Sequence, residues 1–262
     1  MKYPLISVII PCFNSAKTIE RAVLSVQNQT YENIEIICID DGSTDETVNI
    51  LYRLSSIVSN LIILKNNINS GPSHSRNRGA AIAKGEYIAF LDSDDYWHYQ
   101  KLEIQMNELQ KHNLTFIATK AVCNLDISFT IQDCEIKTKK ISFNQLLMKN
   151  YFLTPTVLME SDIFQPFDEM QRYSEDYKLW LEIAEKNPNS VGLIVSPVLV
   201  GLDKFSYGVS GLSANLWLME KHEIKNYLFF LRKGNILPLF AIPLSLIKFI
   251  KRLCVTIIRR YI

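Results

Sequence analysis

Asp92-Ser93-Asp94-Asp95 sets three carboxylates directly behind Glu86-Tyr87-Ile88-Ala89-Phe90-Leu91, a short apolar run that reads as a buried strand. Carboxylates grouped at a strand end suit a hard divalent cation, Mg²⁺ or Mn²⁺, which takes one or two protein oxygens and leaves its other positions to water and phosphates. The chemistry that follows is a metal-bridged nucleotide, although Asp and Ser by themselves also make ordinary solvated turns. A second acidic pair, Glu175-Asp176, follows Ser174 at the head of a segment whose Leu179, Trp180, Ile183 and Ala184 have helical spacing. Acids in a first helical turn commonly serve the helix dipole. A positioned carboxylate is also what removes a proton from an attacking hydroxyl.

The elements upstream must bring these acids to one edge. Ile6-Ser7-Val8-Ile9-Ile10 reads as a strand that Pro11-Cys12-Phe13-Asn14 breaks, and Ser15 is placed to cap a helix through Ile19, Ala22, Val23 and Val26. Ile34 to Ile39 is a second strand ending at Asp40-Asp41-Gly42, with Ser43 and Glu46 spaced as a capping box for a helix through Val48 and Leu51. Leu61 to Leu64 is a third, followed by an Asn-rich loop and by Gly71-Pro72, where proline suits the first turn of a helix. Repeated strand-helix units with continuously apolar strands predict an α/β fold, a Rossmann-like, mainly parallel sheet flanked by helices. Ligands in such sheets bind beyond the carboxyl ends of the strands, and Asn14, Asp41, Gly71 and Asp92 all fall there. No GxGxxG follows the first strand, which argues against a dinucleotide-binding enzyme.

Composition narrows the partners. The 262 residues, 48% hydrophobic, suffice for one large domain with or without a small appendage. A net charge of +1 gives no basic excess for nucleic acid. Five cysteines without a CxxC pair predict neither a metal cage nor a disulfide framework, and hence a reducing compartment. The apolar run Leu5 to Ile10 is too short for a signal peptide, so the expectation is a cytoplasmic protein.

SVIIPCFN, IDDGSTDET, GPSHSRNRG and KGEYIAFLDSDD resemble, in order and spacing, the motifs of family 2 glycosyltransferases of GT-A fold, over about residues 5 to 100. The resemblance implies a UDP-sugar donor and a divalent metal, Mn²⁺ or Mg²⁺. It implies that Asp41 accepts from the uracil imide N–H while the Pro11, Phe13 and Asn14 loop walls the base. Asp92 and Asp94 would hold the ribose and the metal on the diphosphate, with Asp95 beside them. Arg76, one turn into the Pro72 helix, would reach the acidic loop or the diphosphate, its plain alternative being a surface arginine. His74 and Arg78 receive no role. In this family an ED pair follows the acidic loop by some eighty residues and its Asp is the general base, a place that Asp176 fits. More narrowly, KFSYGVSGLSANLW resembles enterobacterial transferases that extend an undecaprenyl-diphosphate-linked GalNAc or GlcNAc in O-antigen repeats.

The nucleotide-sugar half is expected over about 1–100 and the acceptor half over about 101–215, together one GT-A domain. The acceptor half should hold a helix through Leu102, Ile104, Met106 and Leu109, a strand at Leu114 to Ala118, an irregular hairpin or lid from Cys123 to Lys140, a short helix at Phe143 to Met148 and a strand from Thr154 to Met159. The glycine-marked stretch Gly201 to Gly211 reads as a flap over the donor or a plain connector. Residues 216–262 form a helical tail in which Pro238 and Pro243 interrupt the apolar run and Lys248, Lys251, Arg252, Arg259 and Arg260 alternate with Phe249, Ile250, Leu253 and Ile257-Ile258. A span of about 20 uninterrupted apolar residues is lacking. The tail is therefore expected to lie as an amphipathic helix on the inner membrane surface, or else to pack on its own domain. Of two rivals, a processive synthase would need transmembrane helices and a QxxRW motif, and a catalytically inactive nucleotide-sugar-binding or scaffold protein would not need Asp92, Asp94 and Asp176 intact.

Overall fold

A computed structural model describes residues 3–126, 134–204 and 214–261. The apolar runs near the N-terminus become β1 (Ile6–Cys12), β2 (Ile34–Asp40), β3 (Leu61–Lys65) and β4 (Tyr87–Phe90), joined in parallel in the order β3-β2-β1-β4. The sheet continues through β9 (Val157–Glu160), β6 (Phe116–Thr119), β10 (Val191–Ser196) and β8 (Lys137–Lys140). There β9 runs antiparallel to both β4 and β6, and β10 is parallel to β6. Beside this eight-stranded sheet, β5 (Tyr96–Trp97), β11 (Val200–Leu202) and β7 (Ala121–Cys123) make a small second one.

The inner strands are covered on both faces, which is why β1, β2, β4, β6 and β9 are mostly apolar without alternation, whereas the edge strand β8 is polar and largely exposed. On β1, Ile6, Val8 and Ile10 join the core beneath α1 (Ile19–Gln27), α2 (Thr47–Ser55) and α4 (Lys101–His112). Ile9 points to the opposite core, shared with α5 (Phe143–Met148), α6 (Glu175–Lys186) and α7 (Leu216–Arg232). The strand does not stop before Pro11, as the sequence suggests. It runs on to Cys12, because Pro11 lies past the last β4 pairing, Ile9 with Phe90, and its missing N–H breaks no ladder bond on that side.

α3 (Pro72–Ile82) has almost no apolar stripe, and Gly79 makes its docking possible. A Cβ there would stand 2.6 Å from Ile9 Cγ2 and 2.8 Å from Ile39 Cδ1. The helix backbone thus presses onto β1 and β2 and carries Arg76, one turn earlier, under the carboxyl edge of the sheet.

The expected caps are used otherwise. Ser15 leaves the first position of α1 to Thr18, and its own hydroxyl has no partner among the described residues. Ser43 accepts from the Asn14 backbone N–H at 3.0 Å instead of closing a box with Glu46. Ser174 precedes α6 in the left-handed conformation, φ 52°, with no cap bond. A complete capping box does form at Ser142 and Gln145, at the head of α5. β7 and β8 belong to different sheets rather than to one hairpin, and residues 127–133 between them lie outside the description. The flap segment likewise begins as β11, with residues 205–213 outside the described residues.

Packing runs across the boundary expected at 215/216. Tyr227 and Phe230 of α7 are fully buried with Tyr177 and Trp180 of α6, and Asn226 Nδ2 donates to the Ser174 carbonyl at 2.9 Å. α8 (Pro238–Tyr261) lies against α7 and α5. Its Ser245 hydroxyl donates to Glu220 at 2.7 Å, Arg252 pairs with Glu223 at 3.4 Å, and Lys248 reaches the Met148 carbonyl. No described helix is long and apolar enough to cross a membrane. If α7 belongs to the domain core, Phe230→Ala should destabilise the whole protein by about 3–5 kcal/mol and lower a single cooperative melting transition. A two-step melt in which only a minor fraction shifts would show α7 to be a separate appendage.

Candidate active site

The site is built on the carboxyl edge shared by β1, β2 and β4. After β1, Asn14 adopts φ 48° and its side-chain oxygen accepts from the Thr44 N–H at 2.9 Å, clipping the first loop to the second. Phe13 beside it is 46% exposed, open to a ring that would stack on it, and Pro11 is half-buried. Asp41, after β2, is buried and holds the loop ahead of α3. Its carboxylate accepts from the backbone N–H groups of Ser70 at 3.0 Å and Gly71 at 2.7 Å, and from the Asn66 amide at 2.5 Å. Gly71, at φ 92°, makes the turn that aims its N–H there. A carboxylate has about four lone-pair sites, so Asp41 retains capacity for one more donor, such as an imide.

Arg76 is the hub. Its side chain is 7% exposed, with Nη2 2.7 Å from Asp92 Oδ1 and Nη1 3.4 Å from Glu175 Oε1. The surface-arginine alternative is excluded by that burial. Burial lowers the guanidinium pKa, but Asp92 and Glu175 outweigh it and hold the group above its ordinary value. Its Nε, buried as well, has no partner among the described residues. His74 and Arg78 on the same helix serve structure: His74 Nδ1 lies 2.9 Å from Glu169, and Arg78 reaches the Lys65 carbonyl at 2.9 Å.

The acidic turn after β4 is crowded. Asp95 is buried, accepts from the Asp203 N–H at 3.1 Å, and is pushed up to about 8 by burial and by the charges of Asp92 and Asp94. Asp94 pairs with Lys204 Nζ at 2.5 Å, while Arg21 reaches both the Asp94 carbonyl at 2.6 Å and Asp203 at 2.7 Å. Lys204 and Arg21 thereby bind the end of β11 to the turn. Among the described residues no three His, Cys, Asp or Glu side chains are set to enclose a cation by themselves. The donor set nevertheless fits Mn²⁺ or Mg²⁺ riding on a diphosphate. It is hard oxygen throughout, one or two carboxylates suffice, and the mutual repulsion that raises Asp95 is what a cation relieves. The side chains of Asp92 and Asp94, 33% and 30% exposed, are accessible to it.

Glu175 and Asp176 open α6 on the other side of Arg76. Glu175 is buried and pushed up to about 8, by burial first and then by the Asp176 charge, against the pull of Arg76. Burial also raises Asp176, opposed by Arg76, by the Tyr177 N–H at 2.7 Å and by the Thr154 hydroxyl at 3.1 Å. Asp176 is thus a half-buried carboxylate whose pKa burial raises above the ordinary value while Arg76, the Tyr177 N–H and Thr154 restrain the rise.

Arg76, Asp92, Glu175 and Asp176 are brought together as one cluster. The structure adds Thr154, Lys204, Arg21 and Asp203, which the sequence does not point to. Their partners lie between 22 and 182 residues away along the chain, and no local pattern marks such pairs.

Comparison with known proteins places this arrangement. The family described as Glycosyl transferase family 2 matches residues 7–162, from β1 to just past β9. The putative teichuronic acid biosynthesis glycosyltransferase TuaG of Bacillus subtilis is 40% identical over 219 residues, 83% of this chain and 85% of that protein. Two Escherichia coli proteins named UDP-Glc:alpha-D-GlcNAc-diphosphoundecaprenol beta-1,3-glucosyltransferase are also similar. WfgD is 33% identical over 215 residues, 80% of each chain, and WfaP 36% over 182 residues, 70% of this chain and 71% of its own. Among solved structures, S. aureus TarS 1-349 in complex with UDP superposes with a TM-score of 0.66 at 21% identity, covering 86% of this chain. This chain spans 65% of that TarS chain. The mannosyltransferase PcManGT of Pyrobaculum calidifontis, in complex with GDP-Man and Mn²⁺, gives 0.64 at 18% identity, covering 94% of this chain and 74% of its own. The structural likenesses establish the GT-A fold, and the family match together with the relatives above 30% identity shows that the chain belongs to the family 2 glycosyltransferases.

Proposed function

We propose that the protein is an inverting, metal-dependent hexosyltransferase. It moves glucose or galactose from a UDP-sugar to a GalNAc or GlcNAc carried on undecaprenyl diphosphate, in the assembly of O-antigen or a related bacterial surface polysaccharide. The observation that carries this reading is the buried Arg76 bridge, which sets the acid of the donor loop, Asp92, and the helix of the candidate base, Asp176, on two sides of one guanidinium. The names of WfgD and WfaP support the donor and acceptor classes.

In this reading Phe13, Pro11 and Asn14 wall the uracil, Asp41 accepts from its imide N–H, and Asp92 binds the ribose. Asp94, with Asp92 and Asp95 close by, would hold Mn²⁺ or Mg²⁺, which supplies Lewis-acid neutralisation of the departing diphosphate. Arg76 brings a fixed positive charge to the same region. Asp176 accepts the proton of the acceptor hydroxyl as that oxygen attacks the anomeric carbon. Attack from the face opposite the leaving group is one displacement, so an α-linked donor gives a β-linkage and no second carboxylate nucleophile is required.

A lipid-linked acceptor calls for a membrane surface, and α8 supports a peripheral position on the inner leaflet. Its polar residues Ser245 and Arg252 turn inward to glutamates of α7, whereas Leu239, Phe240, Leu246, Ile247, Ile250 and Ile257 are 41–65% exposed. An apolar stripe turned outward along an amphipathic helix is the kind of exposed patch that marks a contact surface. No acidic residue lies between Pro238 and Ile262, and Lys251 is exposed, which suits an anionic surface.

Radiolabelled UDP-sugars offered with GalNAc- and GlcNAc-diphosphate-lipids should give product from one donor, lost with EDTA. Asp176→Asn should cost about 100-fold or more in kcat with UDP binding nearly unchanged, and Asp94→Ala should abolish metal-dependent UDP binding. UDP binding without transfer or donor hydrolysis, whatever the acceptor, would favour a binding protein instead. For the membrane position, Ile247→Glu combined with Ile250→Glu should release the protein from anionic liposomes at unchanged melting temperature. Undiminished co-sedimentation would exclude α8 as the contact.

A further inference from the structure

Thr154, Pro155 and Thr156 form a single tight turn that enters β9, and buried groups from two other elements fasten it. The indole N–H of Trp97 donates to the Pro155 carbonyl at 2.8 Å. The Gln105 amide donates to the Thr156 carbonyl at 2.9 Å, and Gln105 in turn accepts from Lys101 Nζ at 2.7 Å. Trp97, Gln105 and Lys101 are all at most 1% exposed, and the Lys101 nitrogen sits 3.7 Å from the Trp97 ring centroid. Inside the turn, the Thr156 hydroxyl donates to the Leu153 carbonyl at 2.6 Å. What this strut presents to the site is the hydroxyl of Thr154, a buried residue, donating to Asp176 Oδ2 at 3.1 Å.

Trp97 stands two residues beyond Asp95. The same indole that ends the acidic turn therefore fixes the distance from that turn to the partner of Asp176. The other Asp176 oxygen, Oδ1, accepts from the Tyr177 N–H at 2.7 Å. With one bond on each oxygen the carboxylate plane is set, and the remaining lone pairs have a defined direction. A general base needs that fixed geometry toward the hydroxyl it deprotonates.

We propose that Thr154 is a positioning residue for Asp176, and that the Trp97–Pro155 and Gln105–Thr156 bonds make the turn rigid enough for one hydroxyl to aim the carboxylate. This inference rests on Asp176 being the base. The charged groups that face Asp176 are Glu175 on its own helix, Arg76 from α3 and Asp92 from the acidic turn. The Thr154 hydroxyl lowers the Asp176 pKa against the rise that burial causes.

The test compares Thr154→Val, which keeps shape and loses the hydroxyl, with Thr154→Ser, which keeps it. Thr154→Val should lower kcat about tenfold to 100-fold with acceptor KM and Mn²⁺-dependent UDP affinity unchanged. It should also move the acid limb of the kcat profile to higher pH, because the donor that favours the ionised carboxylate is gone. Thr154→Ser should stay within about threefold of the parent on both readouts. Melting curves for both variants separate misfolding from misalignment. A Thr154→Val enzyme with unchanged kcat and pH limb, or a serine variant as impaired as the valine one, overturns the proposal. Asp176→Asn run in parallel keeps the two readings apart, since full activity in that variant would remove the base assignment itself.

Discussion

A buried guanidinium between two carboxylates is the constraint on which this site depends. Arg76 cannot give up its proton, and stripping it of water is offset chiefly by Asp92 on one side and Glu175 on the other, with Asp176 and the Phe167 ring adding to them. Removing one member of such a cluster leaves an unpaired buried charge, a loss of about 3–5 kcal/mol. The bridge also joins two regions that fold from distant sequence, the turn after β4 and the start of α6, 99 residues from Arg76. The acidic turn and the head of α6 are therefore held together by the fold itself. The positive charge that holds them also opposes the rise that burial causes in both Glu175 and Asp176.

Several local choices serve that bridge. Gly79 lets α3 settle onto Ile9 and Ile39, without which Arg76 would stand off the sheet edge. Asp41 fixes the loop that precedes α3 by taking the Gly71 and Ser70 N–H groups. On the far side, Ser174 keeps a left-handed backbone and its carbonyl is held by Asn226 of α7. A non-glycine residue in that conformation persists only where its surroundings impose it. Here the surroundings are α7, so the C-terminal helix pair helps to set the position of Glu175 and Asp176.

β1 to β4, β6 and β9 are legible as apolar runs, and the acids after β2 and β4 stand out because carboxylates are rarely buried; β5, β7, β8, β10 and β11 are added by the structure, and β8, Lys137-Thr138-Lys139-Lys140, leaves no apolar run to read. Arg76 could be placed only to one turn of a helix. Its burial depends on Gly79 meeting two isoleucines from other strands, which no window around residue 76 reveals. Two of the expected caps, at Ser43 and Ser174, differ for a shared reason, while the Ser15 hydroxyl has no partner among the described residues. Ser43 joins loops and Ser174 reaches the Met219 carbonyl, so near the site hydroxyls are used for contacts between segments rather than for the nearest helix end. From composition the tail is either an amphipathic helix on the membrane surface or one packed on its own domain. Tyr227 and Phe230 show that α7 belongs with the core, and α8 turns its polar side to the protein, an inversion that the helical period alone cannot assign.

In the proposed reaction the Asp176 carboxylate and a cation held at Asp94 would act from opposite faces of the sugar in one displacement. The direct measurement is the anomeric coupling constant of the newly formed linkage, read by proton NMR on product made from the accepted α-linked UDP-hexose. Inversion by direct displacement gives the large trans-diaxial coupling of a β-glycoside. The small coupling of an α-glycoside would mean retention, and would contradict a base at Asp176 working by direct displacement.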